Sequence, residues 1–169
     1  MFPIIKEFFQ REWRRTQGEF QQLWKNYLYQ SFIAVVVLTI VLLTMSMEQA
    51  VIIASIGSTA FIVFTMPQNI TASPRRVIGG HLTGFVCGSL AALIPHQTDF
   101  LYIVICAVAV GVSIFLMVAL DFEHPPASGT ALGVAMTGFS VSVMIAVITS
   151  SIVLSLAHVM LRRYLRNLT

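Results

Sequence analysis

The stretch Asp121-Phe122-Glu123-His124-Pro125-Pro126-Ala127-Ser128-Gly129-Thr130-Ala131 sets three ionisable side chains and a proline pair in the middle of an otherwise apolar sequence. Proline fixes φ and lacks a backbone donor, so Pro125-Pro126 can open a helix but cannot lie inside one. Each proline also pushes the residue before it towards extended geometry. A helix is therefore predicted to start at about Pro126. Its first free N–H groups are expected at Ala127, Ser128 and Gly129, where no side chain covers the backbone of Gly129. A helix N-terminus carries partial positive charge, so this corner is a candidate anion site.

Outward from this corner the chain is apolar. Of its 169 residues, 57% are hydrophobic and 10% charged, which is too apolar for a soluble globular domain of this size. The composition predicts an all-α, polytopic integral membrane protein, because helices satisfy their own backbone polar groups in lipid. Its partners are then the lipid bilayer, a small inorganic anion and further copies of itself, with no nucleic acid, and neither a cofactor nor a catalytic role is expected. Cys87 and Cys106 fall in apolar segments and read as small hydrophobic residues ahead of a disulfide or a metal site.

In residues 1–28 the apolar set Phe2, Ile5, Phe9, Trp13, Phe20, Leu23, Trp24 and Tyr27 recurs at helical spacing, with Lys6, Arg11, Arg14, Arg15 and Lys25 on other faces. This predicts an N-terminal amphipathic interfacial helix, interrupted near Gly18, as a surface anchor on anionic lipid. Residues 29–169 form the expected transmembrane domain. Apolar segments at 29–47, 49–66, 76–95, 100–120 and 140–161 each come near the roughly 20 residues a spanning helix needs, and 125–139 is a shorter sixth. Basic residues lie at 6–25, at Arg75 and Arg76, and at Arg162, Arg163 and Arg166, while the loops near Glu48 and at His96–Asp99 have none. Six crossings put every Lys and Arg on one side, which predicts cytoplasmic termini in the cell inner membrane.

Six segments also divide into two three-segment halves, about 29–95 and 100–166, related by an offset of about 71 residues. The halves are then inverted, with broken short helices as the second and fifth segments. Gly57-Ser58-Thr59 and Ser128-Gly129-Thr130 are the paired breaks, expected to meet near the midplane. The candidate substrate-binding set is therefore Gly57, Ser58, Thr59 and His81 from the first half, with His124, Pro125, Pro126, Ser128, Gly129 and Thr130 from the second. His81 and His124 are ionisable groups at membrane depth, which point to function, although a neutral ring bonded to a neighbouring helix is an equal reading.

Gly80, Gly84 and Gly88, and likewise Gly129 and Gly133, form small-residue stripes that read as packing and are expected to face each other or a pore. His96 and His158 read as surface residues. Asp121 and Glu123 oppose an anion unless they turn away, pair or hold a proton, and they equally suit a cation. No Lys or Arg lies between Arg76 and Arg162, so a crossing anion meets helix ends and the hydroxyls of Ser55, Ser58, Thr59, Ser128 and Thr130. A zinc site from His81, His124 and a carboxylate has no supporting local ligand spacing.

His124-Pro125-Pro126 with the following small residues and Thr130-Ala131 resembles the signature of the HPP family of integral membrane proteins. Ser73-Pro74-Arg75-Arg76 with Gly79-Gly80-His81 resembles that family's second recurring segment, and the similarity runs from about Tyr27 to the C-terminus. The resemblance implies a transporter, with nitrite as the anion for some members. Two other classes stay open: a non-transporting membrane protein whose helix breaks serve packing or partner recruitment, and a metal-binding membrane enzyme. Polar residues from both halves converging on a cavity favour transport, whereas a dry, glycine-filled contact favours packing.

Overall fold

A computed structural model describes residues 2–43 and 50–168, so the expected loop at Glu48 lies outside the described residues. The helices are α1 (Phe2–Leu42), α2 (Ala50–Thr65), α3 (Pro74–Ala92), α4 (Asp99–Ala119), α5 (Pro126–Thr137) and α6 (Val141–Leu161), with a 3-10 turn at Ile70–Ala72 before α3. No strand occurs among the described residues. Local chemistry explains most ends. Asn69 accepts from the N–H of Thr71, Pro74 opens α3, and the hydroxyl of Thr98 accepts from the N–H of Leu101 at 3.2 Å. α4 ends in a Schellman turn, with Phe122 N–H on the carbonyl of Met117 at 2.7 Å and Asp121 N–H on that of Val118 at 3.3 Å. Asp121 takes the left-handed position that this turn requires, at φ 59°.

α5 is the shortest helix and sits at the centre, packed on α2, α3 and α4. Its contact with α3 is close because glycine faces it. An added Cβ would lie 2.7 Å from His124 Cβ at Gly80, 2.2 Å from the Ala127 carbonyl oxygen at Gly84, and 2.5 Å from that of Ala131 at Gly88. The two glycine stripes do not face each other. Gly129 and Gly133 turn instead to α2, where an added Cβ would meet Ser55 Cβ at 3.3 Å and Ile52 Cγ1 at 2.7 Å. Side-chain direction on α5 decides this, since positions 127 and 131 lie on a different face from 129 and 133. Around these contacts Ile52, Ile56, Val63, Val77, Val134, Val147 and Leu154 form the main core, while Ala91, Ile105, Cys106, Ala109 and Ala135 form a second cluster.

α1, α4 and α6 are long and apolar enough to cross a membrane by themselves. α2 is apolar but has 16 residues, and the 12 residues of α5 rise only about 18 Å against a hydrocarbon core of about 30 Å. The expected break at Gly57-Ser58-Thr59 is absent, since α2 runs through it. A single interior glycine costs only about 1 kcal/mol relative to alanine. Of the neighbouring hydroxyls, Ser58 bonds back to the Ala54 carbonyl at 3.0 Å, and Thr59 Oγ1 lies 3.1 Å from the Ser55 carbonyl oxygen.

Nor does Gly18 interrupt α1. The helix passes through it, an Arg15–Glu19 ion pair at 2.8 Å spans it, and the boundary expected between residues 28 and 29 falls inside one helix. Its 41 residues measure roughly 60 Å, twice the hydrocarbon thickness. Ile33, Ala34, Val37, Leu38 and Val41 pack on the bundle, whereas Phe9, Trp13, Phe20 and Trp24 are exposed. Gln30, fully buried, marks the junction. Its amide donates to the carbonyls of Phe64 and Arg166 and accepts from Arg166 N–H at 3.1 Å. Leu168 N–H adds a bond to the Thr65 carbonyl at 2.8 Å. The C-terminal arginines, the connection leading to Arg75 and Arg76, and the basic half of α1 thus gather at one end of the bundle.

Candidate functional site

The proline pair brings His124 to α2 and α3. α4 ends in its Schellman turn, Phe122 lies over Gly79, and Gly80 leaves room for His124 Cβ. Across from it, α3 presents His81, α2 presents Ser55 and Thr59, and α5 presents Thr130. All five side chains are buried, His81, His124, Thr59 and Thr130 completely. The imidazole centroids are 5.2 Å apart.

Thr59 joins the rings: its Oγ1 is 2.8 Å from His81 Nε2 and 2.9 Å from His124 Nε2. His81 Nδ1 lies 2.8 Å from Thr130 Oγ1, and His124 Nδ1 lies 2.9 Å from the carbonyl oxygen of Thr71 in the 3-10 turn. That carbonyl fixes the direction of every bond between neutral rings. It can only accept, so His124 carries its hydrogen on Nδ1 and its Nε2 must accept from Thr59. Having given its one hydrogen, Thr59 accepts from His81 Nε2–H, and His81 Nδ1 then accepts from Thr130. Thr130 has no hydrogen left for Ser55 Oγ at 2.9 Å, so Ser55 is the donor there, shared with the Pro126 carbonyl. The result is a single-file chain with every ring nitrogen engaged, and such networks gain strength from low surrounding polarity.

Of the candidate binding set, the structure brings together His81, His124, Thr59 and Thr130, with Pro126 contributing a carbonyl. It does not bring in Gly57, Ser58, Pro125, Ser128 or Gly129. Gly57, Ser58 and both prolines instead line an open groove of about 680 Å³ on the outer side of α2. Ser128 Oγ bonds back to the Pro125 carbonyl at 2.7 Å. Two of the three N–H groups expected to be free are engaged, Ala127 with the His124 carbonyl at 2.9 Å and Ser128 with that of Pro125 at 3.2 Å. A tight first turn of this kind closes the helix end on itself. Thr71 had no sequence signal, because its role is carried by a backbone carbonyl.

The acidic pair is settled by contacts distant in sequence. Asp121 meets Arg75 at 3.1 Å and also Arg76, and Glu123 meets Arg76, which is 8% exposed. Among the described residues no carboxylate is bonded to either imidazole, and no group of three His, Cys, Asp or Glu comes together. His96 is exposed beside Tyr102, as expected of a surface residue. His158 is not at the surface: it is 2% exposed and bonds the Pro67 carbonyl at 2.7 Å through Nε2, because the connection after α2 reaches it.

Long apolar helices around a buried imidazole–hydroxyl cluster define an integral membrane protein with a polar interior. The profile of the HPP transmembrane region matches residues 18–168, and the chain belongs to this family. The match starts earlier than Tyr27, within the continuous α1. A transmembrane protein of Dictyostelium discoideum is 38% identical over 85 residues, covering 50% of this chain and 30% of the relative. A second from the same organism is 31% identical over 104 residues, covering 60% and 33%. The chain spans about a third of the length of these curated relatives. No solved structure matches it significantly.

Proposed function

We propose that this protein is a membrane transporter for a small monovalent anion, with nitrite the candidate that the family resemblance suggests, and that the anion is handled at the His81–Thr59–His124–Thr130 cluster. The carrying observation is the convergence of polar side chains from both halves of the chain. Thr59 and Thr130, related by the offset of about 71 residues, hold opposite nitrogens of His81. The ring N–H groups and hydroxyls here, once released from one another as the helices part, are donors for an anion where the chain has no Lys or Arg. This reading moves the anion from the helix end first expected to bind it, where the N–H groups of Ala127 and Ser128 close on the chain's own carbonyls, to the side chains of the cluster.

The proposal includes six crossings in inverted halves, with both termini cytoplasmic in the inner membrane. It also includes a homo-oligomer formed through exposed apolar faces such as Phe100, Ile103 and Phe115 on α4. The buried cluster is then the occluded form, and the groove beside Pro125 and Pro126 is the neighbouring aqueous approach. Reaching the cluster requires α2 or α5 to move. No bond in the anion is broken, so the protein is not an enzyme.

The test is flux in liposomes against a panel of small anions, cations and neutral solutes. Anion-selective flux is expected, and His124→Ala should weaken it by about 1 to 3 kcal/mol through loss of hydrogen bonding. A second reading is favoured by the close glycine contact between α3 and α5, in which the polar cluster merely clasps helices. That reading predicts no flux of any solute with the wild-type protein.

A further inference from the structure

We infer that the His81–Thr59–His124 chain is a proton site, and that the protein moves one proton together with each anion. The inference rests on the transport reading above and supplies what that site otherwise lacks, a positive charge.

The bonding pattern has places ready for one extra proton. When His81 takes it at Nδ1, the Thr130 hydroxyl turns its hydrogen to Ser55 Oγ, 2.9 Å away, and accepts from Nδ1–H. Ser55 keeps its own hydrogen on the Pro126 carbonyl. When His124 takes it at Nε2, the Thr59 hydroxyl turns to the Ser55 carbonyl, 3.1 Å away, and accepts from both Nε2–H groups. In either state every polar hydrogen keeps an acceptor, and only hydroxyls rotate.

Charge also passes between the rings. The Nε2–H bond of His81 breaks and its proton goes to Thr59 Oγ1, while the Thr59 O–H bond breaks and its proton goes to His124 Nε2. Each electron pair stays on the atom left behind, and the cluster keeps one positive charge. The proton is delivered by hydronium from the side the anion enters, leaving water there, and is given up to water on the far side, where hydronium forms again. A second proton is opposed by repulsion between rings 5.2 Å apart.

Burial makes the coupling obligatory. A lone imidazolium here is an uncompensated buried charge, and a lone anion meets no cation, so the two enter together at less cost than either alone. The surroundings do not supply the missing charge. α2 presents Ser55 and Thr59, the 3-10 turn presents Thr71, and α5 presents Thr130. Besides His81, α3 carries Cys87 and the first-turn pair Arg75 and Arg76, which are held by Asp121 and Glu123, while α4 carries the thiol of Cys106 and α6 carries His158, bonded to the Pro67 carbonyl.

The test uses the full chain in liposomes with a trapped pH indicator and valinomycin with potassium to set the voltage. Nitrite, nitrate and chloride are added in turn, and the leak in protein-free vesicles is subtracted. One proton is expected to enter per anion, with accumulation driven by an inward proton gradient and unaffected by imposed voltage. Thr59→Val, which removes the hydroxyl between the rings, should lower proton-driven accumulation at least tenfold, whereas Thr59→Ser should retain it. Anion flux without proton movement, or flux set by voltage, overturns the inference and leaves the transport reading standing. No flux of any anion by the wild type overturns the transport reading itself. Should Thr59→Val fail to fold, the wild-type stoichiometry still decides.

Discussion

Replacing Gly84 with alanine puts a methyl carbon 2.2 Å from the Ala127 carbonyl oxygen, 3.2 Å from its carbonyl carbon and 3.3 Å from the nitrogen of Ala131. All three are backbone atoms of α5, so no side chain can rotate away and α3 must separate from α5. Alanine itself gains about 1 kcal/mol over glycine in a helix interior. Overpacking costs about 1–3 kcal/mol, and contact with a backbone puts this site at the upper end. The net loss is about 1–2 kcal/mol, which at about 2–4 °C per kcal/mol lowers the melting midpoint by roughly 2–8 °C. Thermal unfolding in detergent, followed by circular dichroism, measures it. Gly111→Ala is the control, because its new Cβ meets nothing within 4 Å, and its midpoint should stay level or rise. A Gly84→Ala protein melting at or above wild type would refute the close α3–α5 contact that seats His81 against Thr130. Equal losses for both variants would refute it too.

Asp121→Asn keeps a residue that tolerates the left-handed turn but removes the charge facing Arg75 and Arg76, so it should cost about 1–2 kcal/mol, less than a fully buried pair, because Glu123 still holds Arg76. Asp121→Val adds backbone strain and should melt measurably lower than Asp121→Asn in the same assay. Gln30→Ala strips the bonds to the Phe64 and Arg166 carbonyls and to Arg166 N–H, at about 1–3 kcal/mol; trypsin should then cut after Arg163 and Arg166 faster than in wild type. A cysteine introduced as Arg163→Cys should react with impermeant reagent only from the cytoplasmic side, and labelling from outside in intact cells would sink both the proposed orientation and the inverted halves.

Much of the fold was legible in the chain because its signals are local. Apolar runs predicted 49–66, 76–95, 100–120, 125–139 and 140–161, and the helices fall within a few residues of them. Pro125-Pro126 located the start of α5 because proline fixes its own φ and lacks an N–H, although Pro125, before Pro126, is αR at φ −50° and ψ −39° and not extended as expected. The HPP resemblance rested on the same short stretches, and the family match bears it out. The local reading failed where a weak preference was taken for a break. A cost of about 1 kcal/mol was outweighed at Gly18 by good helix-forming neighbours such as Gln17 and Glu19, and at Gly57, flanked by Ser, Ile and Thr, by the tertiary packing of Ile52, Ile56 and Ala60.

What touches what was decided by the tertiary structure alone. The glycines of α3 meet Ala127 and Ala131, while Gly129 meets Ser55, because crossing geometry selects the face of α5 each neighbour sees. Asp121 and Glu123 read as either repelling or attracting a solute until Arg75 and Arg76 were placed beside them by the turn at φ 59°. His158 read as a surface residue until the connection after α2 brought the Pro67 carbonyl to it. The hydroxyl of Thr59 was one of several along a helix until two imidazoles from other elements closed on it at 2.8 and 2.9 Å. Periodicity and proline act within a few residues of themselves, whereas a hydrogen bond between side chains dozens of residues apart exists only once packing has fixed both ends.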